Sequence, residues 1–93
     1  MIQSFKCKET ANIFDSGFSR KFPAAILKPA IIRLAMLNRS GKLKDLKIPP
    51  SNHLEKLFGD RAGQYSIRIN DKYRVCFKWR ENNAYDVEIV DYH

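Results

Sequence analysis

From Gln64 onward the chain alternates apolar and polar residues in three consecutive stretches, and this pattern limits its fold more than any other feature. Tyr65, Ile67 and Ile69 alternate with Gln64, Ser66, Arg68 and Asn70; Tyr73, Val75, Phe77 and Trp79 alternate with Arg74, Cys76, Lys78 and Arg80; Tyr85, Val87 and Ile89 alternate with Asp86, Glu88, Val90 and Tyr92. A period of two sends successive side chains to opposite faces of a strand. Asn70-Asp71-Lys72 and Glu81-Asn82-Asn83 are turn-forming and short, so the three stretches predict an antiparallel meander. One face of that sheet is apolar and must be covered. The other carries Arg68, Arg74, Lys78, Arg80, Asp86, Glu88 and Tyr92, and is expected to be charged and open.

The cover has to come from the first half of the chain. Ile2 to Lys6 reads as a short strand, and Glu9 to Asp15 as an amphipathic helix built on Ala11, Ile13 and Phe14 and stopped by Ser16-Gly17. A longer helix is predicted over about Pro23 to Arg39, with Leu27, Ile31, Leu34, Ala35 and Asn38 at helical spacing. Pro29 interrupts it, since proline lacks a backbone donor and crowds the preceding turn; the helix either kinks there or begins there. Lys42 to Lys47 and Pro49-Pro50-Ser51-Asn52 then cross to the sheet. The prediction is an α+β fold, two N-terminal helices packed on a twisted antiparallel β-sheet. Residues 1–93 make one domain: 93 residues hold one core, and 44% hydrophobic content argues against disorder.

Charge narrows the partners. The net charge is +7 and the pI near 9.7, which points to a polyanion, nucleic acid before an anionic membrane surface. Between Phe18 and Lys47 stand Arg20, Lys21, Lys28, Arg33, Arg39, Lys42, Lys44 and Lys47 against the single acid Asp45, whereas Glu81, Asp86, Glu88 and Asp91 close the chain with no Lys or Arg among them. No apolar run suits a membrane span and MIQSFKCKET lacks the apolar centre of a signal peptide, so a cytoplasmic protein is expected. There Cys7 and Cys76 would stay reduced and serve as small packing residues. Two separated histidines and two separated cysteines form no metal-ligand set, and there is neither a phosphate-binding glycine loop nor a Gly-x-Ser-x-Gly. No cofactor is expected.

Cutting RNA without a metal requires a group to take the ribose 2′-OH proton, a cation for the charge on the pentacoordinate phosphorus, and an acid for the 5′-oxygen. Tyr92 and His93 are the proton-transfer candidates, and Arg74 and Arg68 the cations on neighbouring strands. Pattern alone also fits plainer roles, His93 as a solvated end and the arginines as partners of cross-strand acids such as Glu88.

The stretch Gly59-Asp60-Arg61-Ala62-Gly63-Gln64-Tyr65-Ser66-Ile67-Arg68-Ile69-Asn70-Asp71-Lys72-Tyr73-Arg74-Val75-Cys76-Phe77 resembles the Gly-Asp to Ser-Ile-Arg to Arg-x-x-Phe run of HigB-type toxins in the RelE superfamily. Val87-Glu88-Ile89-Val90-Asp91-Tyr92-His93 is similar to their Val-x-Ile-x-Asp-Tyr-His ending, Met1-Ile2-Gln3-Ser4-Phe5 to their start, and Arg33-Leu34-Ala35-Met36-Leu37 to their second helix. The resemblance spans the chain in order. It implies a metal-independent, ribosome-dependent endoribonuclease that cuts messenger RNA in the A site, and a HigA-type helix-turn-helix antitoxin through which alone operator DNA is bound; a membrane partner is not implied.

Carried over by position, the resemblance gives Arg74 the scissile phosphate and makes Asp91, Tyr92 and His93 a terminal catalytic cluster, with His93 as the main proton-transfer group. Arg20, Lys21, Lys28 and Arg61 are the expected RNA-binding cations, and His53, Lys56 and Arg68 further candidates for catalysis or substrate binding. One position departs from the family pattern. Phe58 stands where many relatives have a lysine, with Lys56 displaced by two residues and His53 off the usual histidine position. The loss of a cation there leaves a second reading open, an RNA- or ribosome-binding inhibitor of translation that does not cut.

Overall fold

A computed structural model describes residues 1–91 of the chain. Its elements are α1 (Lys8–Ser16), α2 (Ala24–Arg39), β1 (Glu55–Lys56), β2 (Gln64–Arg68), β3 (Tyr73–Arg80) and β4 (Asn83–Asp91), with short 3-10 turns at Leu43–Lys47, Pro50–Asn52 and Gly59–Arg61. The sheet is antiparallel and ordered β1-β2-β3-β4. The expected α+β architecture is present, with one strand more than the alternation predicted.

Helix α1 ends where the sequence signals it. Gly17 sits at φ 78° and its N–H donates to the Ile13 carbonyl, a left-handed cap that glycine adopts without a Cβ penalty. Thr10, fully buried, accepts the Ile89 N–H on its hydroxyl at 3.0 Å and so fastens the helix to β4. Helix α2 runs through Pro29 without dividing. The carbonyl that loses its partner there belongs to Ala25, an exposed residue, so water can satisfy it. The buried stripe of α2 is Ile26, Ala30, Leu34 and Leu37; of the expected stripe only Leu34 is fully inside, while Ile31 and Ala35 face out. The true stripe has the same period, turned by about one residue. A helix apolar on most sides gives the period without the phase.

The hairpin turns follow from their side chains. Asn70 Oδ1 accepts the N–H groups of Lys72 and Tyr73 at 2.9 and 2.8 Å, reversing the chain between β2 and β3. Arg80 pairs with Asn83, leaving Glu81 and Asn82 at φ 49° and 65°, both positive as a tight two-residue hairpin of this kind requires. Within the β3–β4 pair the register slips between Cys76 and Lys78. Asp86, at φ 51°, is the extra residue; its N–H donates to Ser4 Oγ at 2.9 Å. That bulge explains why the segment predicted as an N-terminal strand makes only two parallel bridges to β4, Ile2 with Ala84 and Phe5 with Val87.

The face under the helices buries Ile67, Val75, Phe77 and Val87 completely, against Ile13, Leu34 and Leu37. Hydrophobic transfer of these side chains, each contributing roughly 1.5–3 kcal/mol, holds the two layers together. Among the described residues no helix is long and apolar enough to cross a membrane.

Candidate active site

The second face of the sheet is not open in the way the alternation suggests. Ser66, Arg74 and Cys76 emerge on it and all three are buried; from the segment before β2, the His53 carbonyl meets Arg74 and the Arg61 side chain reaches Glu88, which stands opposite Cys76 on β4. This corrects the expectation that Arg74 lies on an exposed surface. Polarity patterning cannot reveal which segment of the chain a charged face will meet.

Arg74 is held from several sides. Its Nε donates to Ser66 Oγ at 2.8 Å, its Nη2 to the His53 carbonyl at 2.5 Å and to the Ser66 carbonyl at 3.4 Å, and Nη2 lies 3.1 Å from Glu55 Oε1. The register explains the arrangement: Arg74 is opposite Arg68 and Ser66 opposite Glu55, so the arginine extends from β3 across β2 to the edge strand. A guanidinium tied by fork geometry to a hydroxyl, carbonyls and a carboxylate has little freedom to reorient. Exposure divides the pair sharply, with 9% of the Arg74 side chain accessible and 53% of Glu55.

The other expected residues are placed as follows. His53 has φ 46° and meets Arg74 through its carbonyl. Lys56, next to Glu55, alternates to the opposite side and lines a groove of about 440 Å³ with Leu43, Lys44, Lys47, Leu54 and Tyr65. Arg68 shares a face with Arg74 and pairs with Asp71, while its carbonyl accepts Arg33 Nε at 3.0 Å. Arg61 donates to Gln64 Oε1 and Glu88 Oε2, both at 3.1 Å, and Lys6 lies 3.7 Å from the same Glu88 oxygen. Arg20, Lys21 and Lys28 are exposed. Phe58, between β1 and β2, is 77% exposed, an apolar ring at the surface.

Asp91 is opposite Tyr73 and 3.6 Å from Lys72 Nζ, whereas Arg74 is opposite Val90. Adjacent strand residues alternate, so the Asp91 and Arg74 side chains start from opposite faces of the sheet. Tyr92 and His93 lie outside the described residues. Sequence reading missed Glu55 and Ser66. Ser66 was discoverable, since it shares the polar set of β2 with Arg68; Glu55 was not, because a two-residue strand has no period to detect.

The two thiols differ. Burial pushes the Cys76 thiol up, with the Glu88 carboxylate adding to the effect and Arg61 and Arg74 opposing it. For Cys7 burial also pulls upward, but the N–H and hydroxyl of Thr10, the Glu9 N–H and the Lys21 ammonium outweigh it, and its pKa falls below the ordinary thiol value.

Residues 3–93 match the family described as RelE-like toxin of type II toxin-antitoxin system HigB. The chain is 35% identical over 85 residues to Toxin HigB-1 of Vibrio cholerae serotype O1, covering 90% of each chain. It is 30% identical over 93 residues to Endoribonuclease HigB of Proteus vulgaris, covering 100% of both. The fold is similar to a chain of the YoeB-YefM toxin-antitoxin complex from Staphylococcus aureus, with a TM-score of 0.61 at 19% identity, covering 100% of this chain and 98% of that one.

Proposed function

This chain belongs to the HigB-like family of RelE-like toxins from type II toxin-antitoxin systems, and from that membership we propose that it is an endoribonuclease that cuts messenger RNA in the ribosomal A site. The observation that carries the reading is a guanidinium fixed by Ser66 and His53 and paired with a solvent-facing carboxylate, in a protein of net charge +7. A cation that does not reorient stabilises charge developing on phosphorus without a reorganisation cost, a type of effect worth about 3 kcal/mol per donor in other enzymes.

In this reading Arg74 supplies the fixed positive field, and His93, supported by Asp91 and Tyr92, delivers the proton to the 5′-oxygen. Arg68, Arg61, Lys56 and His53 contact or orient the RNA near the cut. Arg20, Lys21 and Lys28 hold the ribosomal RNA. The protein named for the fold relative is a toxin in complex with its antitoxin, which supports a partner here as well, a HigA-type helix-turn-helix protein that alone binds operator DNA. The site of action is the cytoplasm.

The test is to incubate the purified chain with ribosomes programmed with a defined message and to map new ends. New 5′-OH ends with an A-site offset are expected. Uncut message on stalled ribosomes would instead select the non-cleaving inhibitor.

A further inference from the structure

We propose that the groove between the 3-10 turn at Leu43–Lys47 and the β1–β2 edge of the sheet is the docking site for an acidic, amphipathic segment of the antitoxin. The inference rests on the antitoxin partner put forward above.

Position is the first argument. Lys56 pairs with Tyr65 across β1 and β2, so the two share a face, while Ser66 and Arg74 belong to the other. The groove therefore lies on the side of the sheet away from the Arg74 site. Leu43, Leu54 and Tyr65 form its walls, in a space of about 440 Å³; each packs against the core and each is only partly buried. Ile48, next to Lys47, is 75% exposed. Apolar walls left partly open in this way accept apolar side chains from a partner.

Charge is the second. Lys44, Lys47 and Lys56 stand around these walls and are exposed, and among the described residues none of them forms an ion pair. The neighbouring acids are committed: Asp45 accepts the N–H groups of Gly41 and Lys42, and Glu55 pairs with Arg74 on the opposite face. A lysine lays its methylene stem along an apolar wall and keeps its ammonium in water. The complement of this site is a chain in which apolar residues alternate with Asp or Glu. RNA fits less well. Leucines make most of the wall, and the Tyr65 ring already stacks on Phe77 with centroids 6.2 Å apart at 27°, whereas a nucleobase needs an open ring face.

The edge of the sheet is the third. Strand β1 is outermost. The Leu57 N–H donates to the Gln64 carbonyl at 2.8 Å and Glu55 is opposite Ser66, so alternate backbone groups turn toward β2 and those of Lys56 turn away from it. An extended segment can pair there while its alternate side chains enter the groove beside Lys56.

Antitoxin isolated from its complex with the wild-type chain is the probe. Hydrogen exchange of the wild-type chain, free and bound, tests the site without any substitution: residues 43–47 and 54–57 should become protected. Titrated against Lys44→Glu/Lys47→Glu, the antitoxin should lose roughly 10- to 100-fold in affinity, while Lys44→Arg/Lys47→Arg should bind as wild type does. Leu43→Ala should weaken binding with no change in its salt dependence, because it removes apolar contact alone. Free of antitoxin, Lys44→Glu/Lys47→Glu should still cut message on ribosomes at the wild-type rate, which answers for its folding. Unchanged antitoxin affinity in that variant, or protection confined to other segments, overturns the proposal. So does a loss of ribosome affinity with a smaller salt slope instead, which assigns the groove to RNA. If no antitoxin is held by wild type, the partner reading falls and the proposal with it. If wild type binds antitoxin through the groove but cuts no message, the ribonuclease reading falls and the docking site stands.

Discussion

Cys7 and Cys76 show how strongly surroundings decide what a residue does. The sequence reads both as inert packing residues, and that holds for Cys76 alone, fully buried in β3 with its thiol pushed up by burial. Cys7 precedes α1, where helix N–H groups and the Lys21 ammonium favour the thiolate and lower its pKa. Iodoacetamide should therefore modify Cys7 in the folded protein with a pH midpoint below that of a free thiol, and leave Cys76 untouched until the protein unfolds; mass mapping of alkylated peptides checks both. Arg74 gives the companion lesson. Its place on β3 and its face were legible from alternation, but its burial was not, because that depends on where the segment before β2 lies. Arg74→Ala should consequently cost about 2–4 kcal/mol of stability, leaving the buried Ser66 hydroxyl and the half-buried His53 carbonyl without their donor. Denaturant melts would show it as a lower midpoint at unchanged slope. A loss of cutting in that variant has to be separated from this loss of fold.

At the level of elements, the long periodic segments were readable and the short or irregular ones were not. Helix α1, helix α2 and strands β2 to β4 have periods and stop signals, whereas β1 is two residues long and the slip at Asp86 is one residue in a strand whose alternation looks unbroken. The register slip matters because it turns the Asp86 N–H toward Ser4 and fixes the first residues of the chain along β4. The β3–β4 turn holds a local conflict. Glu81 occupies a left-handed conformation at φ 49° that asparagine or glycine adopts more readily. Glu81→Asn should raise stability by about 0.5–1 kcal/mol, seen as a higher Tm with cleavage unaffected. In α1, Glu9 accepts the Ser19 hydroxyl at 2.7 Å, and this bond, with the Arg20 N–H, lowers its pKa despite some opposing desolvation. A carboxyl with a lowered folded pKa stabilises the fold above its unfolded value and loses that contribution as pH falls through the folded one. Glu9→Gln should flatten the acid side of the stability profile below the ordinary carboxylate range.

Over the whole molecule, charge is divided between places with different tasks. The cations around the Glu55–Arg74 pair are largely engaged: Arg68 with Asp71, Arg61 with Glu88 and Gln64. Arg20, Lys21 and Lys28 are exposed at the approach to α2 and on its first turns. A protein that neutralises phosphates releases counterions, so the logarithm of its affinity falls with the logarithm of salt by about 0.7 to 0.9 for each phosphate contacted. If these three residues meet ribosomal RNA, Arg20→Glu, Lys21→Glu and Lys28→Glu together should weaken ribosome binding and reduce that slope by about 2 to 3. Exposed substitutions of this kind usually change stability by less than about 0.5 kcal/mol each, so circular dichroism and Tm should stay near wild type. An internal control comes from Lys21, whose ammonium also favours the Cys7 thiolate. The triple variant should alkylate at Cys7 more slowly than wild type at the same pH, which confirms that the local field has been reversed whether or not RNA is bound. The intrinsic cleavage step, measured at saturating ribosome concentration, should keep its wild-type rate because the Glu55–Arg74 pair is intact. A folded triple variant with slowed Cys7 alkylation but an unchanged salt slope would place the ribosome contact elsewhere, with Lys44, Lys47 and Lys56 around the apolar groove as the next cations to reverse.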